Sequence, residues 1–119
     1  MAKILVIDDS WLTRRGIIGI LQEDGYELLE ASNGKDGLEM VEEYRPDCIL
    51  LDLLMPELNG FGVLKKLEEK NSRTPVIMLS AGIQDTVRAK AFKMGAFELL
   101  NKPPQPEILC TTVNNALLP

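Results

Sequence analysis

Four apolar runs in this chain lead into residues with charged or reactive side chains. Lys3-Ile4-Leu5-Val6-Ile7 runs into Asp8-Asp9, Cys48-Ile49-Leu50-Leu51 into Asp52, and Pro75-Val76-Ile77-Met78-Leu79 into Ser80, while Ala96 to Leu100 is followed by Lys102. Singly, each has a structural explanation. Asp52 can cap a turn, Asp8, Asp9 or Ser80 can cap a helix, and lysine usually faces water. Jointly they would set carboxylates, a hydroxyl and an ammonium on one edge of a sheet whose strands all run the same way. Clustered carboxylates repel, and a hard divalent cation with oxygen ligands relieves the repulsion, Mg²⁺ being the natural candidate. Asp8, Asp9 and Asp52 are too few to fill an octahedron, so water and a phosphoryl oxygen can complete it. Asp52 is then a nucleophile for phosphorus, giving an acyl phosphate. Ser80 can donate to one phosphoryl oxygen and Lys102 can pair with another, neutralising charge on the transferring group. A carboxylate is ionised at neutral pH and needs no general base, so a chain with no histidine loses nothing here.

The runs that carry these residues alternate with helical patterns. Uninterrupted apolar stretches such as Cys48 to Leu51 mark strands buried on both faces of a parallel sheet. After Asp9, Ser10 or Asp9 caps a helix whose residues Leu12, Ile17, Ile20 and Leu21 recur at mostly helical spacing. Trp11 and Ile18 broaden its apolar surface, Gly16 and Gly19 weaken it and would let it approach the sheet, and Gly25 stops it. Tyr26 to Ala31 is a less apolar strand, suited to an edge. Asn33-Gly34 opens a helix to about Tyr44, with Leu38 and Val41 inward, ended by Arg45-Pro46. Pro56, Asn59 and Gly60 form a loop, and Phe61 to Lys70 turns Phe61, Leu64 and Leu67 inward. Gln84 to Met94 is a helix with Val87, Ala91 and Met94 on one face, closed by Gly95. Ala96 to Leu100 is the last strand, and Glu107 to Leu118 the last helix. Strands alternating with helices describe a doubly wound α/β domain, and right-handed crossovers favour a parallel sheet. The pattern leaves strand order open.

Composition excludes several classes. The 119 residues suffice for one domain, 1–119, and not for two. A net charge of -5 argues against a nucleic-acid surface. No apolar run reaches transmembrane length, and Met1-Ala2-Lys3 leaves no room for a signal peptide. Cys48 and Cys110 fit a reducing compartment. Without histidine or a Cys-x-x-Cys pair, zinc binding and histidine catalysis are disfavoured.

Four motifs in order carry a resemblance: Ile7-Asp8-Asp9-Ser10, Leu51 to Gly60 (LDLLMPELNG), Leu79-Ser80-Ala81 and Asn101-Lys102-Pro103. Over essentially its whole length the sequence resembles the receiver domains of bacterial two-component response regulators, the family that includes the single-domain chemotaxis regulator. The resemblance implies a flavodoxin-like, five-stranded parallel sheet of order 2-1-3-4-5 with helices on both faces. It makes Asp52 the phosphoacceptor, with Ser80 and Lys102 as the other catalytic residues. The metal set would be Asp8, Asp9, Asp52 and the backbone carbonyl of Leu54, holding Mg²⁺. Lys102 would pair with Asp52 before transfer, and the Lys102–Pro103 bond would be cis. Arg14 matches a common basic position on the first helix, where it could also be simply solvated. Partners implied are a sensor histidine kinase or phosphotransfer domain and an output domain or effector protein, in a cytoplasmic bacterial setting. No membrane or direct nucleic-acid contact is implied.

Two stretches depart from the family pattern. Many relatives carry an aromatic residue three positions before the lysine; here Leu99 stands there, and the nearest aromatic is Phe97. Pro103-Pro104-Gln105-Pro106 replaces the usual sequence after Lys-Pro, and the last helix has almost no charge beyond Glu107. This argues against the basic dimer face of DNA-binding regulators, while a weak homodimer on phosphorylation stays open. Trp11 can pack inward or stand exposed beside the site, where a kinase would dock. Leu54 cannot orient water whereas Gly82 leaves it space, so dephosphorylation rate is undetermined. The expected function is phosphoryl transfer from a kinase, phosphotransfer protein or small phosphodonor to Asp52, altering a binding face, with slow self-dephosphorylation rather than conventional turnover. A phosphorylation-independent binding module is the alternative. A hydrolase on a similar fold would need a substrate cap, and no insertion is long enough to make one.

Overall fold

The computed structural model describes residues 1–119. Its strands are β1 (Lys3–Ile7), β2 (Glu27–Ala31), β3 (Cys48–Asp52), β4 (Val76–Ser80) and β5 (Glu98–Asn101). Between and after them lie helices α1 (Trp11–Leu21), α2 (Gly34–Tyr44), α3 (Gly60–Glu69), α4 (Asp85–Lys93) and α5 (Pro106–Ala116). The strands form one sheet of order β2-β1-β3-β4-β5, all pairs parallel. The doubly wound architecture and the order implied by the resemblance are both present. The less apolar β2 takes an edge, as its composition suggests.

Alternation along the strands divides the core in two. Leu5, Ile7, Ile49, Leu51 and Met78 pack against α2, α3 and α4, through Leu38, Val63, Leu64, Leu67 and Ala91. Ile4, Val6, Cys48, Leu50 and Ile77 face the other way, onto Ile17 and Leu21 of α1 and Leu109 and Val113 of α5. Each central strand is thus buried on both faces, which is why it reads as an unbroken apolar run. Successive connections leave β1 in one direction and return to β3 in the other. The crevice at the carboxyl end of β1 and β3 is therefore the topological switch point, where open α/β sheets bind ligands.

Helix starts follow side-chain caps. Ser10 Oγ accepts from Thr13 N (3.2 Å), Asn33 Oδ1 from Asp36 N (2.8 Å) and Asn59 Oδ1 from Gly62 N (3.0 Å). Several boundaries differ by a residue or two from the sequence expectation, and two of these have a local cause. β5 begins at Glu98 because Ala96 is used to end α4: Gly95, at φ 100°, donates to Phe92 O and Ala96 N to Ala91 O, both at 3.0 Å. α5 begins one residue early, because Pro106 at the first helical position lacks an N–H that would be unpaired there anyway.

α1 differs more. A Cβ at Gly16 or Gly19 would meet nothing within 4 Å, so these glycines do not bring α1 close to the sheet. Leu12 is exposed as well; the buried stripe of α1 is Ile17 and Leu21. Trp11 takes the outward alternative and is 63% exposed. Close approach to the backbone at a strand end belongs to α3 instead. A Cβ on Gly60 would lie 2.7 Å from the Asp52 carbonyl oxygen and 2.8 Å from Leu53 Cα, and Gly60 N donates to Leu53 O at 2.8 Å.

These glycines should respond oppositely to alanine in urea denaturation. Gly19→Ala, in an exposed helix interior with free space, is expected to stabilise by about 0.5–1 kcal/mol. Gly60→Ala drives a methyl into backbone and is expected to cost about 1–3 kcal/mol.

Candidate functional site

The carboxyl edge of the sheet collects the polar residues that follow the strands. The ladder runs past the strand ends: Asp8 N donates to Ala31 O (3.1 Å), Leu53 N to Leu79 O (2.9 Å) and Lys102 N to Ser80 O (2.9 Å). Because Ile7 pairs with Leu51, the next residues, Asp8 and Asp52, come side by side. Asp8 and Asp52 are only 1% and 4% exposed, while Asp9 is exposed. One carboxylate oxygen from each of Asp8, Asp9 and Asp52 can be chosen so that all lie within 4.8 Å of one another.

Charge balance within this cluster rests on Lys102. Its Nζ lies 2.9 Å from Asp8 Oδ2 and 3.2 Å from Asp52 Oδ2. Burial and the neighbouring Asp8 charge push the Asp52 carboxyl above the usual carboxylate range, against the pull of Lys102. Burial alone would lower the Lys102 ammonium, but the two carboxylates outweigh it and hold it above its ordinary value. Asp52 Oδ1 accepts from Leu54 N at 3.4 Å, a long bond, and Asp8 Oδ1 from Ser10 N at 2.8 Å. The remaining Asp8 oxygen, Oδ2, is buried with no hydrogen-bond donor aligned on it; Lys102 approaches it as an ion pair only. An under-satisfied buried carboxylate oxygen within a cluster of three acids belongs to a donor set suited to a hard divalent cation.

The cluster opens into a cleft of about 550 Å³, lined by Asp9, Asp52, Ser80 and Lys102 together with apolar residues of α1 and the exposed Leu54. Ser80 lines this cleft but its hydroxyl is turned away, donating to Gly82 O at 3.2 Å. The Lys102–Pro103 bond is cis. Asp8, Asp9 and Asp52 cluster with Lys102 paired to two of them, Leu54 touches Asp52 through its N–H, and Ser80 joins Lys102 through its backbone carbonyl while its hydroxyl bonds to Gly82 O instead.

Sequence reasoning missed the support behind Asp8. Arg14 is not a solvated side chain: its Nη1 donates to the Asp8 carbonyl oxygen (2.7 Å) and its Nε to Glu30 Oε1 (2.8 Å). Arg15 donates to the other oxygen of Glu30. Hydrogen bonds from Arg15 and Arg14 hold the Glu30 carboxyl below its ordinary range against the opposing effect of burial. The signals were the basic position matched by Arg14, for which solvation was the other reading, and an acid, Glu30, beside the apolar Leu28-Leu29 and Ala31.

The model of the response regulator receiver domain matches residues 4–114, and the chain belongs to that family. It is 35% identical over 119 residues to PilH of Pseudomonas aeruginosa, covering 98% of each chain. It is 40% identical over 104 residues to the transcriptional regulatory protein SrrA of Staphylococcus aureus, covering 87% of this chain and 43% of SrrA. The solved structure of the chemotaxis protein CheY4 of Vibrio cholerae superposes with a TM-score of 0.92 at 33% identity, covering 98% of this chain and 99% of that one. The protein is thus a receiver of two-component phosphorelay signalling, with an acidic cluster of the kind that serves phosphoacceptor and metal sites. No helix is long and apolar enough to cross a membrane.

In metal-free buffer at neutral pH, Asp52→Asn is expected to raise the denaturation midpoint. A carboxyl raised by burial and Asp8 holds its proton more tightly in the folded state. It favours the fold below the ordinary carboxylate range and loses that contribution as pH rises through the raised value. The advantage of the variant should accordingly shrink as pH falls toward that range. A lower midpoint for Asp52→Asn at neutral pH would mean that the attraction of Lys102 dominates instead.

Proposed function

We propose that this chain, as one receiver domain over residues 1–119, accepts a phosphoryl group on Asp52 in a Mg²⁺-dependent transfer and thereby alters a protein-binding face. The observation that carries this is the placement of Asp52: buried, beside Asp8 and within 3.2 Å of Lys102, at the switch point of the sheet. The carboxylate oxygen of Asp52 forms a bond to phosphorus as the bond from phosphorus to the donor's leaving atom breaks, and that atom leaves with the electron pair. The donor is a phosphohistidine of a sensor kinase or phosphotransfer domain, or a small acyl phosphate, in a cytoplasmic setting.

Asp8, Asp9, Asp52 and the Leu54 carbonyl would hold Mg²⁺, for which the unaligned Asp8 Oδ2 is the supporting observation. When bound, the ion supplies positive charge that offsets the carboxylates and the phosphoryl oxygens. Lys102 keeps its ammonium beside Asp52 and follows the transferred charge onto a phosphoryl oxygen. Ser80 leaves the Gly82 carbonyl to donate to another, drawing the loop before α4 with it. The activity is that of an acceptor with slow self-hydrolysis rather than a turnover enzyme. A kinase or phosphotransfer domain approaches over the exposed Trp11 and Leu54, and an output domain or effector reads the changed surface.

Intact mass after incubation with Mg²⁺ and a small acyl phosphate tests the reading. The wild type should gain a phosphoryl group that Asp52→Ala does not, and Mg²⁺ chelation should abolish the gain. Ser80→Ala should still be modified yet lose most of the accompanying Trp11 fluorescence change. A folded wild type that gains nothing would favour a constitutive binding module instead.

A further inference from the structure

Arg14 links the edge strand of the sheet to the acidic pair. Its guanidinium spans Glu30 Oε1 (2.8 Å) and the Asp8 carbonyl oxygen (2.7 Å), and only 12% of the side chain is exposed. Arg15 grips the second oxygen of Glu30, so the carboxylate on which Arg14 leans is itself held from both sides. Asp8 N donates to Ala31 O at 3.1 Å, from the residue that follows Glu30. Asp8 Oδ1 accepts from Ser10 N at 2.8 Å. The amide of Asp8, its side chain and its carbonyl are each fixed, and Arg14 is what fixes the carbonyl.

That carbonyl belongs to the peptide joining Asp8 to Asp9. The peptide is planar, so turning it changes ψ of Asp8 and φ of Asp9 together. The direction in which the exposed Asp9 carboxylate leaves the backbone turns with it. Asp9 gains nothing from burial to hold it in place, unlike Asp8. We propose that Arg14, anchored by Glu30, is the positioning residue for the metal-binding acids: by holding the Asp8 carbonyl it sets the Asp8–Asp9 peptide and so the approach of Asp9 to Asp8 and Asp52. The proposal rests on the reading of these acids as a divalent-cation site.

The task requires arginine. Two donors at a fixed angle reach a side chain and a backbone oxygen at once, whereas a lysine ammonium is a single point on a flexible stem. Positioning also predicts the opposite of simple electrostatics. A nearby positive charge opposes cation binding, so removing it should tighten Mg²⁺ if charge were its only contribution. If Arg14 positions Asp9, removing it weakens Mg²⁺ despite the favourable change in charge.

Calorimetric Mg²⁺ titration of the folded wild type, Arg14→Lys and Arg14→Met, each checked by thermal melting, separates these. Both variants are expected to bind Mg²⁺ about 10-fold more weakly or worse, the range typical for residues that orient metal ligands. Unchanged or tighter Mg²⁺ binding in either folded variant overturns the proposal. Glu30→Met keeps the guanidinium but removes its anchor, and so tests the same link if the Arg14 variants fail to fold. It should also weaken Mg²⁺, and full wild-type affinity in that variant counts against positioning. A wild type that binds no Mg²⁺ is a distinct result, overturning the cation reading of the acids and this proposal with it.

Discussion

Two carboxylates, Asp8 and Asp52, are nearly sealed from water at the end of adjacent strands, and one ammonium is shared between them. Burying like charges together costs free energy unless opposite charge is brought to the same place. Lys102 supplies one positive charge for these two, and Asp9 adds a third negative charge at the rim. The balance remains negative, which leaves the site an attraction for a cation, and burial, followed by the Asp8 charge, keeps Asp52 above its ordinary range. Much of the surrounding architecture serves to maintain this arrangement against its own repulsion.

The maintenance is mechanical. Each central strand is clamped between two apolar layers, so Asp8 and Asp52 cannot move apart without disturbing both cores. Their register is inherited from the Ile7–Leu51 pair one step earlier. Behind Asp52, Gly60 lets the start of α3 press against the strand end, and the loop before it turns at Glu57, φ 65°. Ahead of Asp8, Ser10 caps α1 while its own N–H holds the Asp8 carboxylate, so the helix start and the acid orient one another. Ladder bonds from Leu53 to Leu79 and from Lys102 to Ser80 carry the same order across to the lysine.

In the proposed switch, the parts that would respond are less constrained than the parts that would react. Ser80 is buried but its hydroxyl rests on a carbonyl two residues away, a local bond that the proposed switch would exchange at small cost for one to an incoming anion. α4 beyond it has a short buried face, with Ala91 its one fully buried residue. Leu99 is fully buried in the cluster that also contains Ala91, so a shift of α4 is felt there as repacking of an aliphatic side chain. The aromatic in this strand region, Phe97, is half-exposed and precedes β5. In the proposed switch, coupling from Ser80 to the outer face would therefore travel through aliphatic packing rather than an aromatic side chain turning between core and solvent.

The sequence by itself determined the strands, the alternation with helices and the residues that gather at one edge. A strand buried on both faces must be apolar throughout, so Asp8, Asp52 and Ser80 stand out where each such run ends. The helix starts at Ser10 or Asp9 and at Asn33 were legible because caps are local, whereas Asn59 read only as loop and proved to cap α3. Tertiary structure decided what depends on rotation and on partners distant in the chain. Helical spacing alone did not reveal that Gly16, Gly19 and Leu12 face outward while Ile17 and Leu21 carry the contact, because a broad apolar surface fits more than one rotation about the helix axis. The start of β5 moved because Ala96 was taken by the cap of α4, a competition between two local structures for one N–H. The Arg14–Glu30–Asp8 link was invisible because its members lie on different elements, and only parallel pairing of β1 with β2 brings Glu30 beside the acids.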